Sequence, residues 1–420
     1  KAEAILENLK RTGDGLFNEQ LNIDEMVFSE VSEINNLVAD ITKLNKNILS
    51  NEKFDTFNAN DLRDRRDKFI NELAGKVDIK VNEDANGQVD ITLGNGQPLV
   101  LKQQAFSLAT TLNGNNNGFK DINITNLEGI NTNITSSLQG GKLKGLVDMR
   151  DTELKSALDN LDRLTAGFIQ EINRVHKKGF GSDGSSGLDF FSALSPASLA
   201  DTSNLGTASV AIINASPTTA SVDKFQIQFT GTNSFELNNL TTGLASGTYT
   251  FTNETSVTLA GGLSVTFSGS AVSGDLINFS ISENASRLAA VSSTIKANLE
   301  KIAAGKTLAG DGQNAQELAD LQNRMSFNAT SLQSGSGSFT FSDFYSSIVT
   351  QIALDSGAAR VNADNQEAIQ LQLSIRRESN SGVSIDEEMI NLIKFQQAFN
   401  ASARIITTVE EMLNSLISKM

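Results

Sequence analysis

The chain has 420 residues, enough for about two to four domains at roughly 150 residues each and for a substantial buried core. Its 49 acidic residues against 34 basic ones give a net charge of −15, so its surface repels phosphate backbones and no nucleic-acid partner is expected. It has no cysteine and a single histidine, His176, which removes disulfides, thiolate nucleophiles, cysteine metal sites and any site needing two imidazoles.

Lys1 to Lys10 form a charged amphipathic pattern without a secretory apolar segment, and no apolar run approaches the ~20 residues that cross a bilayer. Neither a Sec signal nor membrane insertion is expected. Helical periodicity is already under way at Lys1, so the natural protein is expected to extend upstream. From Val27 the residues Val31, Ile34, Val38, Ile41, Leu44 and Ile48 recur at three- and four-residue steps, one stripe of a long helix ending near Asn51. A shorter amphipathic turn follows around Leu62, Phe69, Ile70 and Leu73. The period then changes to two through Val77, Ile79 and Val81 and, after Asn86-Gly87, through Val89, Ile91 and Leu93. A second turn at Asn95-Gly96 leads to Leu99 and Leu101. Asn-Gly between alternating runs predicts hairpins, hence a small antiparallel sheet at about 77–101. The Asn- and Gly-rich stretch 113–141 reads as loop with a short strand at Ile122 to Ile124. Helical spacing returns through Leu154, Leu158, Leu161, Leu164, Phe168, Ile172 and Val175 and ends at Lys177, Lys178 and Gly179.

The sharpest change of composition comes next. Between Ser192 and Ser282 only Asp201, Asp223, Lys224, Glu236, Glu254 and Asp275 are charged, and alternating apolar residues such as Phe225, Ile227 and Phe229 stand among Ser, Thr, Gly and Asn. This predicts an inserted all-β domain at 192–283. Helical spacing resumes through Leu288, Val291, Ile295, Leu299 and Ile302, and again through Leu318, Leu321 and Met325. The expected fold is mixed and multidomain: a long α-helical bundle and coiled-coil body with a small β-hairpin region and an inserted all-β domain. Its parts are a first helical body at 1–191, the β domain at 192–283, a returning helical body at 284–380 and a C-terminal coiled-coil helix at 381–420.

In that last segment Ile385, Leu392, Phe399, Ile406 and Leu413 stand seven residues apart, and Met389, Phe395, Ala403, Val409 and Leu416 fill the intermediate row. A repeat held over four heptads is a coiled-coil seam, and a lone coiled-coil helix is marginal in water, so the stripe requires a second helix. The partner is either the helix at 27–48 or a helix from outside this chain, and the second case makes the segment an assembly device.

No catalytic constellation, cofactor site or metal site is found. Gly179, Gly181 and Gly184 spell G-x-G-x-x-G, but they close a helix, whereas the dinucleotide motif follows a strand and opens one. Asp183 and Asp189 in the same loop lack the ordered oxygen set of a calcium site. His176 has no spacing to a serine or a carboxylate pair and reads as surface or packing. Asp386, Glu387 and Glu388 stand at a helix start, where acids suit the dipole. Enzymatic activity is not expected.

The run from Ser381 to Phe399 (SGVSIDEEMINLIKFQQAF), with Ala401 to Leu413 (ASARIITTVEEML), resembles the C-terminal helix of bacterial flagellar axial proteins, most of all the hook-associated junction family. Three stretches separate that family from flagellin and the hook protein: Asn60 to Lys68 (NDLRDRRDK), Gly140 to Asp151 (GGKLKGLVDMRD), and His176 to Phe180 with Gly187 to Phe191. The resemblance implies a structural subunit in a helical ring of its own copies at the hook–filament junction. Its neighbours would be the hook protein on one side, and the second junction protein and flagellin, whose assembly it templates, on the other. It further implies an extracellular place in the flagellum, reached through the flagellar type III channel, a dedicated export chaperone at the C-terminal helix, and an outward-facing β domain. By the same resemblance, the seam's partner is an N-terminal helix that this chain lacks. The alternative reading is an extracellular adhesin-like binding protein that uses the 192–283 domain. On the junction reading, the purified chain should fold in its outer parts without polymerising; filaments of this chain alone in electron micrographs would contradict that.

Overall fold

The computed structural model describes residues 1–52, 59–84, 86–126, 128–194, 196–213, 220–327, 337–381 and 385–417, without the side chains of 213, 380, 381, 385 and 413–417. The chain forms two compact units, Lys1–Thr350 and Gln351–Met420.

The first unit is organised on α1 (Ala2–Glu52). The stripe Val27, Val31, Ile34, Val38 and Ile41 is buried in one core with Leu73, Ile91, Leu99 and Ile122. These partners come from three elements. Leu73 lies on α2 (Asn60–Lys76); Ile91 and Leu99 lie on a four-stranded antiparallel sheet of β1 (Ile79–Glu83), β2 (Val89–Leu93), β3 (Pro98–Leu101) and β4 (Gln104–Ala105). Ile122 lies on a three-stranded sheet of β5 (Ser107–Leu112), β6 (Lys120–Thr125) and β7 (Asn131–Asn133). Val27, Ile34 and Ile41 are wholly buried, and each contributes about 2 kcal/mol relative to exposure.

Polar side chains on the same helix set the position of the sheets. Asn45, fully buried, donates from Nδ2 to the carbonyls of Val89 (2.8 Å) and Lys102 (2.7 Å), while its Oδ1 accepts from the Val89 amide at 3.2 Å. Asn35 donates to the Leu108 carbonyl and accepts from the Leu108 amide, both at 2.8 Å. A carboxamide carries donor and acceptor together, as a peptide unit does, so each asparagine pairs with a strand as a neighbouring strand would. Asp24 completes the series by accepting from the Lys120 amide at 2.8 Å and from Nη1 of Arg150 at 2.6 Å.

From β7 the chain passes through α3 (Gly141–Asp148), one π turn at Met149–Glu153 and α4 (Leu154–His176), a continuous helical path. Gly141, at φ 82°, lets this path begin against the backbone of Val77, whose nitrogen would lie 2.5 Å from a Cβ there.

Every described element between Ala197 and Ser280 is a strand. β8 (Ala197–Ala200), β10 (Phe225–Gly231), β11 (Ser234–Asn239), β12 (Leu244–Thr250) and β15 (Leu276–Ser280) form a sheet in the order β12-β11-β10-β15-β8. β9 (Ser209–Ile213), β13 (Ser256–Thr258) and β14 (Ser264–Ser268) form another, ordered β13-β14-β9. The first and last strands pair, Ile277 opposite Ala200, so the chain leaves this region beside the point at which it came in. The rings of Phe229, Phe235, Phe251 and Phe267 pack mutually in its core, with Phe251 and Phe267 4.2 Å apart, and Ala166 of α4 joins them.

Two expectations need correction. The stretch 113–141 holds the strand expected at Ile122 to Ile124, as β6, and also a strand that was not expected, β7, and asparagines bond across this sheet: Asn123 to Thr111 at 2.8 Å and Asn133 to Asp121 at 2.7 Å. The returning segment, expected as helices from Leu288 through Ile302 and on to Met325, is instead a series of short pieces. These are α5 (Ala285–Leu288), α6 (Ser293–Ala297), α7 (Gln313–Asp320) and 3-10 turns at Leu299–Lys301 and Leu321–Asn323. Val291, Ile295 and Leu321 are buried but Leu288, Leu299 and Met325 are exposed, so successive turns, each burying one residue, produce the same apolar spacing as a helix. Asp162 of α4 holds the first of these turns, accepting from the amides of Asn284 (3.0 Å) and Ser286 (2.8 Å). Gly13 allows α1 to meet it, since a Cβ there would stand 2.5 Å from Oγ of Ser286.

Replacing Asn45 by Leu should lower unfolding stability by about 3 kcal/mol in urea titration, because the buried peptide groups of Val89 and the partly buried carbonyl of Lys102 lose their partner. Lys144→Ala, which removes a half-exposed pair with Asp148, should cost less than about 0.5 kcal/mol.

Candidate assembly surface

The second unit contains α8 (Phe341–Ser381) from Gln351 onward and α9 (Ile385–Ile417). At 33 residues α9 is about 50 Å long. All its described side chains are exposed. Of the seam residues, Met389, Leu392, Phe395, Phe399, Ala403, Ile406 and Val409 stand in solvent, with Phe395 76% and Phe399 74% exposed. The side chains of Ile385, Leu413 and Leu416 lie outside the described set. The structure thus places the seam on one continuous helix but forms no coiled-coil pairing among the described residues. Sequence reasoning missed Ile390, Ile393, Ile405 and Met412, which are also exposed and widen the apolar surface beyond the two heptad rows. They were legible as apolar residues flanking the seam positions. Exposed apolar surfaces of this extent are a feature of protein interaction sites.

The other candidate partner for the seam is already occupied. The stripe at 27–48 is covered by α2 and the two small sheets from within its own unit.

The three stretches that carry the family resemblance build cationic and imidazole anchors in the first unit. In the first, Arg63 clasps Glu52 through Nε (2.8 Å) and Nη2 (2.7 Å), which pushes the Glu52 carboxyl down to about 2. Arg66, 2% exposed, donates to the Gly87 carbonyl at 2.5 Å and so ties α2 to the first hairpin turn. In the second, Arg150 is fully buried. It forks onto Asp151 through two 2.7 Å bonds, reaches Asp24 and the Lys120 carbonyl, and lies over the ring of Phe119.

In the third, His176 is fully buried, which corrects the surface reading and keeps the packing one. Its Nδ1 donates to the Leu188 carbonyl at 2.8 Å and its Nε2 accepts from the Ala303 amide at 2.9 Å, a pair of bonds that requires the neutral ring. Burial holds its pKa below the usual histidine value. Asp183 pairs with Lys301 and Asp189 with Lys177, so the two acids of this loop serve different ion pairs. Among the described residues no cluster of acids or histidine could hold a metal ion, and no helix is long and apolar enough to cross a membrane.

Residues 1–191 match the family model described as the flagellar hook-associated protein FlgK helical domain, and 377–419 match that of the flagellar basal body rod FlgEFG protein C-terminal region. The chain is 27% identical over its whole length to flagellar hook-associated protein 1 of Escherichia coli, of which it spans 75%. The chain is thus similar over its whole length to flagellar hook-associated protein 1, and its first 191 residues match the FlgK helical domain. The Salmonella typhimurium member is 28% identical over the whole chain, with 75% of that protein covered, and the Bacillus subtilis member 24%, with 70% covered. The solved structure of the flagellar hook junction protein FlgK from Burkholderia pseudomallei has the same fold, at a TM-score of 0.76 and 18% identity over 91% of this chain and 88% of that one. These relatives are flagellar proteins, and none of them carries the adhesin alternative.

The neutral His176 has a consequence for stability. The unfolded chain takes up a proton below about pH 6.5, whereas the folded ring resists it, so the unfolded state binds more protons and stability falls as pH drops through that region. Melting temperatures measured at pH 7.5 and 5.5 should show a larger acid loss for the parent than for His176→Gln.

Proposed function

We propose that this chain is a structural, non-enzymatic subunit of the bacterial flagellum that forms the junction between hook and filament and gives flagellin a surface on which to assemble. The single observation that carries this reading is the match to hook-associated protein 1 over the whole chain, joined to an apolar seam on α9 that its own unit leaves open. The mechanism is mechanical adaptation. The seam Met389, Leu392, Phe395, Phe399, Ala403, Ile406 and Val409, with Ile385, Leu413 and Leu416 in the same rows, is the coiled-coil contact of an inner tube of subunits. The helical part of the first unit adds lateral contacts between copies in a helical ring. The charge-poor strands between Ala197 and Ser280 form a domain at about 192–283 that faces outward. The hook protein lies on one side of the ring, and the second junction protein and flagellin on the other.

The site of action is extracellular, in the flagellum, and export runs through the flagellar type III channel. Before assembly the exposed stripe of α9 is a liability in a crowded cell, which is the physical reason for an export chaperone on this helix.

Deleting the gene in its source bacterium should leave bare hooks in electron micrographs and unpolymerised flagellin in the medium, both reversed by the full-length gene; normal filaments would sink the reading. A double substitution Phe395→Asp and Phe399→Asp should abolish incorporation into flagella. It should leave the melting of the purified chain within about 0.5 kcal/mol of the parent, since both rings are exposed in the isolated subunit.

A further inference from the structure

We propose that the cleft between α1, the start of α4 and the β8–β15 side of the five-stranded sheet binds a short neutral saccharide. Two adjoining hollows share the walls Asn117, Lys155, Asp159, Glu283 and Asn284, the larger of about 690 Å³ and the smaller of about 200 Å³. That space is of the size that encloses a small ligand.

Charge selects against an ionic occupant. In the larger hollow Asp151, Asp159 and Glu283 face Lys155, Arg163 and Lys224, so the formal charges cancel. Each also has an opposite charge beside it: Lys224 lies 2.7 Å from both Asp159 and Glu283, Lys155 3.9 Å from Asp159, Arg163 3.8 Å from Asp223, and Asp151 is forked onto Arg150. A phosphate or a polyamine would find no unmatched opposite charge.

The hydrogen-bonding groups left open are neutral amides. The Oδ1 atoms of Asn160, Asn278 and Asn284 accept from Arg163, Gln226 and Arg287, while their Nδ2 groups donate to no protein atom among the described residues. An acceptor stands with these donors. Gln20, 2% exposed and lining the smaller hollow, donates from Nε2 to the Arg150 carbonyl at 2.8 Å, but its Oε1 receives no hydrogen bond. A buried acceptor left unpaired costs about 1–3 kcal/mol, which a ligand hydroxyl placed there recovers. Leu199 and Leu240 line the larger hollow and stay about half exposed, an apolar wall for the C–H face of a sugar ring. Several open amide donors, one buried acceptor, balanced charge and an apolar wall together match a molecule that bears hydroxyls and no net charge.

The test is isothermal titration of the full chain with maltose and with N,N′-diacetylchitobiose, and with maltose 1-phosphate and capped triglycine as comparators. Saturable binding of at least one neutral disaccharide is expected, weakened about tenfold by Gln20→Leu and by Asn160→Ala, each of which removes one hydrogen bond. Asn160 lies on α4, where alanine keeps the helix, so this variant reads the site even if Gln20→Leu fails to fold. The proposal is overturned by no saturable binding of either disaccharide up to about 50 mM. It is equally overturned by binding that Asn160→Ala leaves unchanged, by tighter binding of the phosphorylated sugar, or by tighter binding of the peptide.

Discussion

The arrangement of the first unit depends on one face of one helix. Asp24, Asn35 and Asn45 are spaced by eleven and ten residues, close to three helical turns, so they fall in line along α1. Each satisfies backbone groups of a different partner: Lys120 of β6, Leu108 of β5, and Val89 of β2 with Lys102 beyond β3. Beside them runs the apolar stripe that supplies most of the burial. The stripe alone would allow the sheets to slide, since hydrophobic burial has no direction. The carboxamides fix the register because a displaced strand would leave buried peptide groups without partners.

The second long helix of this unit uses the same device for its own neighbours. Asn173 of α4 pairs with both peptide groups of Phe191, Gln170 donates to the Ala220 carbonyl, and Asp162 accepts from the turn that follows β15. The β region is therefore held at the segments that lead into it and out of it. This accounts for a stretch nearly free of charge keeping a defined place against a charged helical body. The three stretches that mark the family belong to the same framework. Arg66, Arg150 and His176 are buried, and each binds main-chain groups of a distant segment. They hold the shape of the first unit, whereas the apolar stripe of α9 stands exposed.

Much of this was legible in the chain. Three- and four-residue spacing marked the helix at 27–48 and the one at 154–175, Asn-Gly marked the first two hairpins, and the drop in charge after Ser192 marked where strands begin. Pattern reading failed at 284–325, where turns and helix share a spacing, and at 131–133, where asparagines that usually signal loops form a strand. The sequence left His176 open between surface and packing because its partners, Leu188 and Ala303, stand 12 and 127 residues away along the chain.

Sequence by itself determined the periods, and therefore which segments are helix or strand and which faces are apolar, because side-chain direction follows local backbone geometry. It also determined that α9 carries an apolar stripe. Only the tertiary structure decided which of two similar stripes is covered. α1 and α9 have comparable apolar spacing, yet the stripe of α1 is buried and the described seam of α9 stands exposed. Coverage depends on what other segments bring to a face, and that is settled by long-range contacts no local pattern encodes.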